Sequence, residues 1–244
     1  MAVIELAALL AARDKLAPYV RQTPNEQSLA LSEQFRCDVW LKGEHLQHTG
    51  SFKARGALHK MLTLTPDERA GGVVTASSGD HGAGVAWAAR TLGVQALVFV
   101  PAGASRAKID MIRRYGAELH TYGVDGLDTE VHARQVAAER GSAYVSPYND
   151  IQVVLGQGTV GVEMHEQMQT VDTVIIAVGG GGLIGGVAAY LKSRLPNVRI
   201  IGAQPENSPV MTMSVRAGRM IEMPSKPTLS DGTAGGVELD SITF

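Results

Sequence analysis

Thr173-Val174-Ile175-Ile176-Ala177-Val178-Gly179-Gly180-Gly181-Gly182-Leu183 is the stretch whose reading decides the fold. After Thr173 come five apolar residues, and five of these first six are β-branched, the composition of a β-strand. A helical run follows over residues 183–195. The four glycines between them waste conformational entropy unless something must approach the backbone closely. A phosphate is the usual reason, because a strand–turn–helix junction offers free N–H groups at the positive end of the helix. A second junction has the same plan. Val73-Val74 leads into Thr75-Ala76-Ser77-Ser78-Gly79-Asp80-His81-Gly82-Ala83-Gly84, and a helical stretch, 85–92, follows. A third segment, Leu155-Gly156-Gln157-Gly158-Thr159, reads as a turn opening another helix.

Outward from these junctions, strand-like runs near 39–41, 73–76, 96–100, 119–121, 143–145, 174–178 and 199–203 alternate with helical runs such as 106–115 and 127–139. That alternation predicts an α/β protein with mostly parallel sheets. Ligand loops then belong at the carboxyl ends of the strands, where both glycine-bearing loops fall. The 244 residues suffice for one large domain or two small ones.

With 45% hydrophobic residues and a net charge of −2, the composition calls for neither a nucleic acid nor an anionic membrane as partner. Arg113-Arg114 is a solvated helix face. The single cysteine, Cys37, cannot form an internal disulfide, which suits a reducing, cytoplasmic setting. Residues 6–12 are apolar but short, and Glu5, Arg13, Asp14 and Lys15 flank them. They read as an amphipathic N-terminal helix rather than a membrane span.

Thr49-Gly50-Ser51-Phe52-Lys53-Ala54-Arg55-Gly56-Ala57 carries the chemistry. A polar turn leads into a helix over 52–62, so Lys53 lies in the first helical turn. The dipole there disfavours an ammonium, and Phe52 supplies an apolar wall. Both lower a lysine pKa, as a Schiff-base amine requires. A lysine at a helix start is ordinarily just solvated; the two anion loops elsewhere in the chain argue against that reading here.

Together these segments resemble the fold-type II pyridoxal-phosphate enzymes, in particular the serine/threonine dehydratase and serine racemase branch. The matching motifs are Gly50-Ser51-Phe52-Lys53-Ala54-Arg55-Gly56-Ala57, Ser77-Ser78-Gly79-Asp80-His81-Gly82, Pro147-Tyr148-Asn149, Gly156-Gln157-Gly158-Thr159, the loop 179–182 and Ser230-Asp231-Gly232, in the family's order over nearly the whole chain.

The resemblance implies that Lys53 forms the Schiff base with pyridoxal phosphate and removes the substrate's Cα proton. Gly179, Gly180, Gly181 and Gly182 would hold the phosphate. Phe52 would pack beside the ring, with Asp80 and Asn149 near the cofactor. Ser77, Ser78, Gly79 and His81 would bind the substrate carboxylate, and Gln157 and Gly158 would line the same pocket. His81 reads as a brace for its loop, since Lys53 already serves as base. The implied reaction is elimination from a β-hydroxy amino acid, such as L-threonine or L-serine, to a 2-oxo acid and ammonia, with the cofactor phosphate as proton donor to the leaving hydroxyl. Ser78 stands where racemases of this branch offer an acid on the opposite face, which leaves racemisation open. The family pattern also implies two open, mostly parallel twisted sheets flanked by helices, a small domain over 72–148, a large discontinuous domain of 1–71 plus 149–244, and a homodimer.

There are departures from the pattern. Relatives usually carry asparagine where this chain has Asp80, and metal-binding relatives carry acidic residues where it has Gln204 and Val210; no metal site is therefore expected. Relatives also continue past the position of Phe244, so the chain as it stands is expected to be a weak dehydratase, and a cofactor-binding non-enzyme is a second reading. A third is a nucleotide-binding oxidoreductase, since Gly180, Gly182 and Gly185 match a dinucleotide fingerprint. It lacks the acidic residue expected at the end of the next strand.

Overall fold

The computed structural model describes residues 4–77, 79–124, 126–168 and 170–244, with the backbone alone of Leu127. Ser78 lies outside the described residues.

The larger sheet has four strands, β3 (Val73–Ala76), β4 (Ala96–Val100), β5 (Glu118–Thr121) and β6 (Ala143–Tyr144), in the order β5-β4-β3-β6. All its pairings are parallel. β3 and β4 are buried along their whole length, as parallel strands covered by helices on both faces must be. A second parallel pair, β7 (Thr173–Ala177) with β8 (Arg199–Ala203), carries the deciding stretch. Here burial alternates. Val174 and Ile176 face inward, while Ile175 is 70% exposed, so this pair is covered on one face.

The remaining strands differ from the parallel expectation. β2 (Trp40–Lys42) pairs antiparallel with β1 (Asn25–Gln27) in a separate two-stranded sheet. β1 is Asn-Glu-Gln, with no apolar periodicity to reveal it.

The helices that position the site are α1 (Leu6–Leu16), α3 (Lys53–Thr63), α5 (Asp80–Leu92), α7 (Gly126–Arg140), α8 (Ile151–Gln167) and α9 (Gly182–Arg194). Between and after them lie α2 (Leu29–Phe35), α4 (Pro66–Ala70), α6 (Arg106–Arg114) and α10 (Val210–Ala217). In α1, Leu9, Ala12 and Leu16 are buried against the body of the protein. Among the described residues, no helix is long and apolar enough to cross a membrane.

One expectation is corrected. Residues 155–159 are not a turn but the interior of α8. Their glycines serve helix packing. A Cβ on Gly156 would lie 2.7 Å from the Arg55 carbonyl oxygen and 2.8 Å from Gly56 Cα, and one on Gly186 would lie 2.7 Å from Gly158 Cα. Bare backbone therefore meets bare backbone from α3 to α8 and from α8 to α9, which sets Lys53 and the glycine loop at fixed offsets from one rod. A buried ion cluster adds to this. Arg55, with no solvent exposure, holds Glu44 at 2.8 Å and Glu163 at 2.6 Å, and Lys42 holds Glu163 at 2.8 Å. The Arg55 guanidinium is thus fully paired two residues beyond Lys53.

Candidate active site

The carboxyl ends of β3 and β7 open onto one cleft of about 220 Å³. Lys53 reaches it from the first residue of α3, with Phe52 as N-cap and the Lys53 backbone N–H on Ser51 Oγ at 3.3 Å. The Lys53 Nζ donates to the Pro147 carbonyl at 2.9 Å and lies 5.4 Å from the Phe52 ring centre. Burial of the amine lowers its pKa to about 8, against opposing pulls from Glu130 and Asp80. Dehydration is thus the main cause, and the apolar wall expected from Phe52 is present.

Facing Lys53 is the glycine loop, with Gly179, Gly180, Gly181 and Gly182 all on the cleft wall. Gly181 caps α9 at φ +86°, a left-handed conformation that glycine adopts without strain. A Cβ on Gly180 would lie 2.3 Å from Tyr148 Cγ, and one on Gly181 would lie 2.9 Å from Thr243 Cβ. Among the described residues, nothing accepts a hydrogen bond from the four backbone N–H groups of this loop. Unpaired donors at the start of a helix form an anion cradle.

The second loop forms the third wall. Ser77, Gly79, Asp80 and His81 all line the cleft. Asp80 and His81 belong to the first turn of α5, a helix that starts earlier than its apolar pattern suggests. Asp80 is exposed at the mouth. His81 is buried, its Nε2–H donating to the Val145 carbonyl at 3.0 Å, while Nδ1 is buried without a partner among the described residues. Burial, helped by the Lys53 charge, lowers the His81 pKa to about 3. It is a neutral brace tying α5 to the chain after β6.

Three expected residues stand off the cleft wall. Gln157 and Gly158 face helix contacts inside α8, and Gln157 is fully buried behind Gly56. Asn149 is held by the C-terminal segment, donating from Nδ2 to Glu238 and accepting from the Ile242 N–H at 2.9 Å.

Other groups enter the cleft that no sequence pattern marked. Glu130 of α7 lies on its wall, and so does Lys108, which bridges to Asp231 at 2.9 Å across the opening. In sequence, Glu130 is one acid on a polar helix, and only its burial sets it apart. Gln204 and Val210 are committed elsewhere. Gln204 Oε1 accepts from the Thr212 N–H at 2.7 Å, and Val210 is in the core.

Pyridoxal phosphate needs a dehydrated primary amine, an anion cradle and space for a ring between them. Lys53, the loop 179–182 and the cleft supply all three, so the residues fit the group. The site is that of a cofactor-binding α/β protein.

The chain belongs to the family of pyridoxal-phosphate dependent enzymes, matching it over residues 16–244, and pyridoxal phosphate is the cofactor. It is 41% identical over 232 residues to the L-threonine ammonia-lyase of Thermotoga maritima, covering 95% of this chain and 58% of that one. It is 38% identical over 228 residues to the serine racemase of Arabidopsis thaliana, covering 93% and 69%. Maize serine racemase superposes with a TM-score of 0.93 at 33% identity, over 99% of this chain and 73% of that one. These relatives place the chain in the threonine dehydratase and serine racemase branch, and its sheets and flanking helices are those of fold type II. The dinucleotide reading of Gly180, Gly182 and Gly185 has no support in this family.

Proposed function

We propose that the protein catalyses β-elimination from a β-hydroxy amino acid such as L-threonine or L-serine, giving a 2-oxo acid and ammonia. The observation that carries this reading is a dehydrated amine, Lys53, sharing one cleft with four glycine N–H groups that have no partner among the described residues. Pyridoxal phosphate, when bound, supplies the electron sink for the charge that develops at Cα. Lys53 would hold the cofactor through its amine and would serve as the base for the Cα proton; a pKa of about 8 suits a base working near neutrality. Gly179, Gly180, Gly181 and Gly182 hold the phosphate. Ser77, Ser78, Gly79 and the backbone N–H of His81 take the substrate carboxylate, and Phe52 flanks the ring. Asp80 sets the charge at the mouth. Asn149, Gln157 and Gly158 support these groups from behind.

Racemisation is the second reading, favoured by the 0.93 TM-score to maize serine racemase. The strands of the larger sheet all fall within 73–144 and those of the β7–β8 pair within 173–203, which supports a small domain of 72–148 and a large one of 1–71 plus 149–244. A homodimer is proposed on the family pattern. Incubating the cofactor-loaded protein with L-threonine and L-serine tests the activity. Formation of 2-oxo acid and ammonia supports elimination, D-serine supports racemisation, and absence of all three products rejects both.

A further inference from the structure

One tyrosine stands between the two ends of the cleft. Tyr148 lines the cleft wall and follows Pro147, whose carbonyl accepts the Lys53 amine at 2.9 Å. A side chain on Gly180 would meet Cγ, Cδ1 and Cδ2 of the Tyr148 ring at nearly equal distances, so Gly180 lies over the face of that ring. A Cβ on Gly182 would lie 3.2 Å from Tyr148 Cα and 3.3 Å from Tyr148 Cβ. The ring is buried, and its far end is held. The hydroxyl accepts the Glu238 N–H at 3.0 Å and turns its own proton towards Glu130. Burial, helped by the neighbouring Glu130, raises the Tyr148 pKa, so the hydroxyl keeps that proton. Burial of Glu130, reinforced by the negative Glu238, likewise raises the Glu130 pKa to about 8. On the other side of the loop, the Thr243 hydroxyl donates to the Gly180 carbonyl, and the Thr243 side chain bounds Gly181. The glycine loop is thus clamped between the Tyr148 ring and the C-terminal segment.

We propose that Tyr148 is a positioning residue for the phosphate-binding loop, and that residues 147–148 together set the span between the Lys53 amine and the N–H cradle. This rests on the reading of residues 179–182 as the cradle for the cofactor phosphate. Four consecutive glycines have no side chains to lock their backbone, and their conformational freedom is large. Their shape must therefore be imposed from outside. An aromatic ring suits that task, being flat, rigid and large in contact area. Hydrogen bonds weaken steeply as their angles degrade, so the cradle works only while its N–H groups converge. The carbonyl carbon and the phosphate of pyridoxal phosphate are carried on one aromatic ring, which limits their separation. Amine and cradle must match that separation. Pro147 anchors the amine, Tyr148 anchors the cradle, and one peptide bond joins the two residues. Loss of the ring face then costs phosphate recognition while the amine stays in place.

The test compares two ligands that differ only in the phosphate. Pyridoxal phosphate and pyridoxal are each titrated against the cofactor-free protein, and binding is read from the visible absorption of the lysine-bound form. Tyr148→Leu keeps an apolar side chain and removes the flat face. Its Kd for pyridoxal phosphate should rise about 10–100-fold, the worth of one hydrogen bond to a charged group. Its Kd for pyridoxal should stay within about threefold of wild type, a small fraction of that loss. The phosphorus resonance of the bound cofactor should move in the same variant. Tyr148→Phe keeps the ring and should hold the ratio of the two Kd values within about threefold of wild type. Gly180→Ala approaches the same contact from the loop, because its Cβ would run into the ring. It should show the same selective loss, which keeps the test valid if Tyr148→Leu does not fold. Unchanged affinity for pyridoxal phosphate in both Tyr148→Leu and Gly180→Ala would show that the loop holds its own shape, and would overturn the proposal. Equal loss for both ligands would make Tyr148 a residue of the general fold and overturn it too. Wild type that binds pyridoxal as tightly as pyridoxal phosphate would reject the cradle reading itself.

Discussion

Gly156→Ala sets two physical effects against each other. Gly156 lies in the middle of α8, where glycine costs about 1 kcal/mol relative to alanine. Propensity alone therefore predicts a more stable protein. Packing predicts the reverse. The new Cβ would lie 2.7 Å from the Arg55 carbonyl oxygen, 2.8 Å from Gly56 Cα and 2.8 Å from His59 Cβ. Carbon atoms pack at about 3.5 Å, so α3 and α8 must separate by about 0.7 Å. Neither backbone atom can rotate away, and the paired Arg55 guanidinium holds α3 in place. Overpacking costs about 1–3 kcal/mol, and a contact with rigid backbone belongs at the top of that range. Subtracting the propensity gain leaves about 2 kcal/mol of destabilisation. At about 2–4 °C per kcal/mol for a chain of this size, Tm should fall by about 4–8 °C. Gly185→Ala is the control, since its Cβ would meet only Val154 Cγ1 at 3.9 Å. It should gain up to the full propensity term, raising Tm by about 2–4 °C. Both are read by calorimetry of the cofactor-free protein. A Tm for Gly156→Ala at or above wild type would refute the claim that bare backbone contact fixes the Lys53 helix.

Borohydride reduction of the cofactor-loaded protein, followed by peptide mapping, should place the pyridoxyl group on Lys53, and Lys53→Ala should lose both the label and turnover; a label on another lysine refutes the assignment. Asp80→Asn should lower the acylation midpoint of Lys53 further, because the Asp80 charge opposes the larger effect of burial; an unmoved midpoint would show that Asp80 does not act on the amine. From pH 4.5 to about 8 the folded protein keeps a proton on Glu130 that the unfolded chain has released. This group's contribution therefore makes stability fall as pH rises through that window, and a Glu130→Gln variant whose Tm–pH slope there matches wild type would contradict the burial of that carboxyl. A chelator should leave Tm unchanged, since Gln204 and Val210 are committed to Thr212 and the core; a large drop reversed by magnesium or calcium would show a metal site.

The parallel strands and both glycine junctions were readable because their signals are local: an apolar run, a turn, then a helical period. Lys53 was readable for the same reason, as the first residue after a polar turn. What sequence could not supply depends on contacts between distant segments. Gly156 and Gly158 look like turn residues until the backbones of α3 and α9 are brought against them. Glu130 looks like any acid on a solvated helix until Tyr148 and Glu238 enclose it from other segments. β1 carries no apolar pattern, and its pairing with β2 arises only from tertiary context. Residue 80 was legible as an acid in the second loop, but its place at the cleft mouth depends on α5 starting at that residue.

The bare contact between Gly56 and Gly156 also bears on how the protein folds. The two residues are far apart in sequence, and the whole of the four-stranded sheet lies between them. Bringing distant segments together costs loop-closure entropy, which slows folding. Here the intervening segment can pair its own strands first and so shorten the effective loop before α3 meets α8. Chain connectivity thus favours an order in which the sheet of residues 73–144 forms before α3 seats on α8. Lys53 rides on α3, so in that order the amine would acquire its dehydrated surroundings among the last steps of folding.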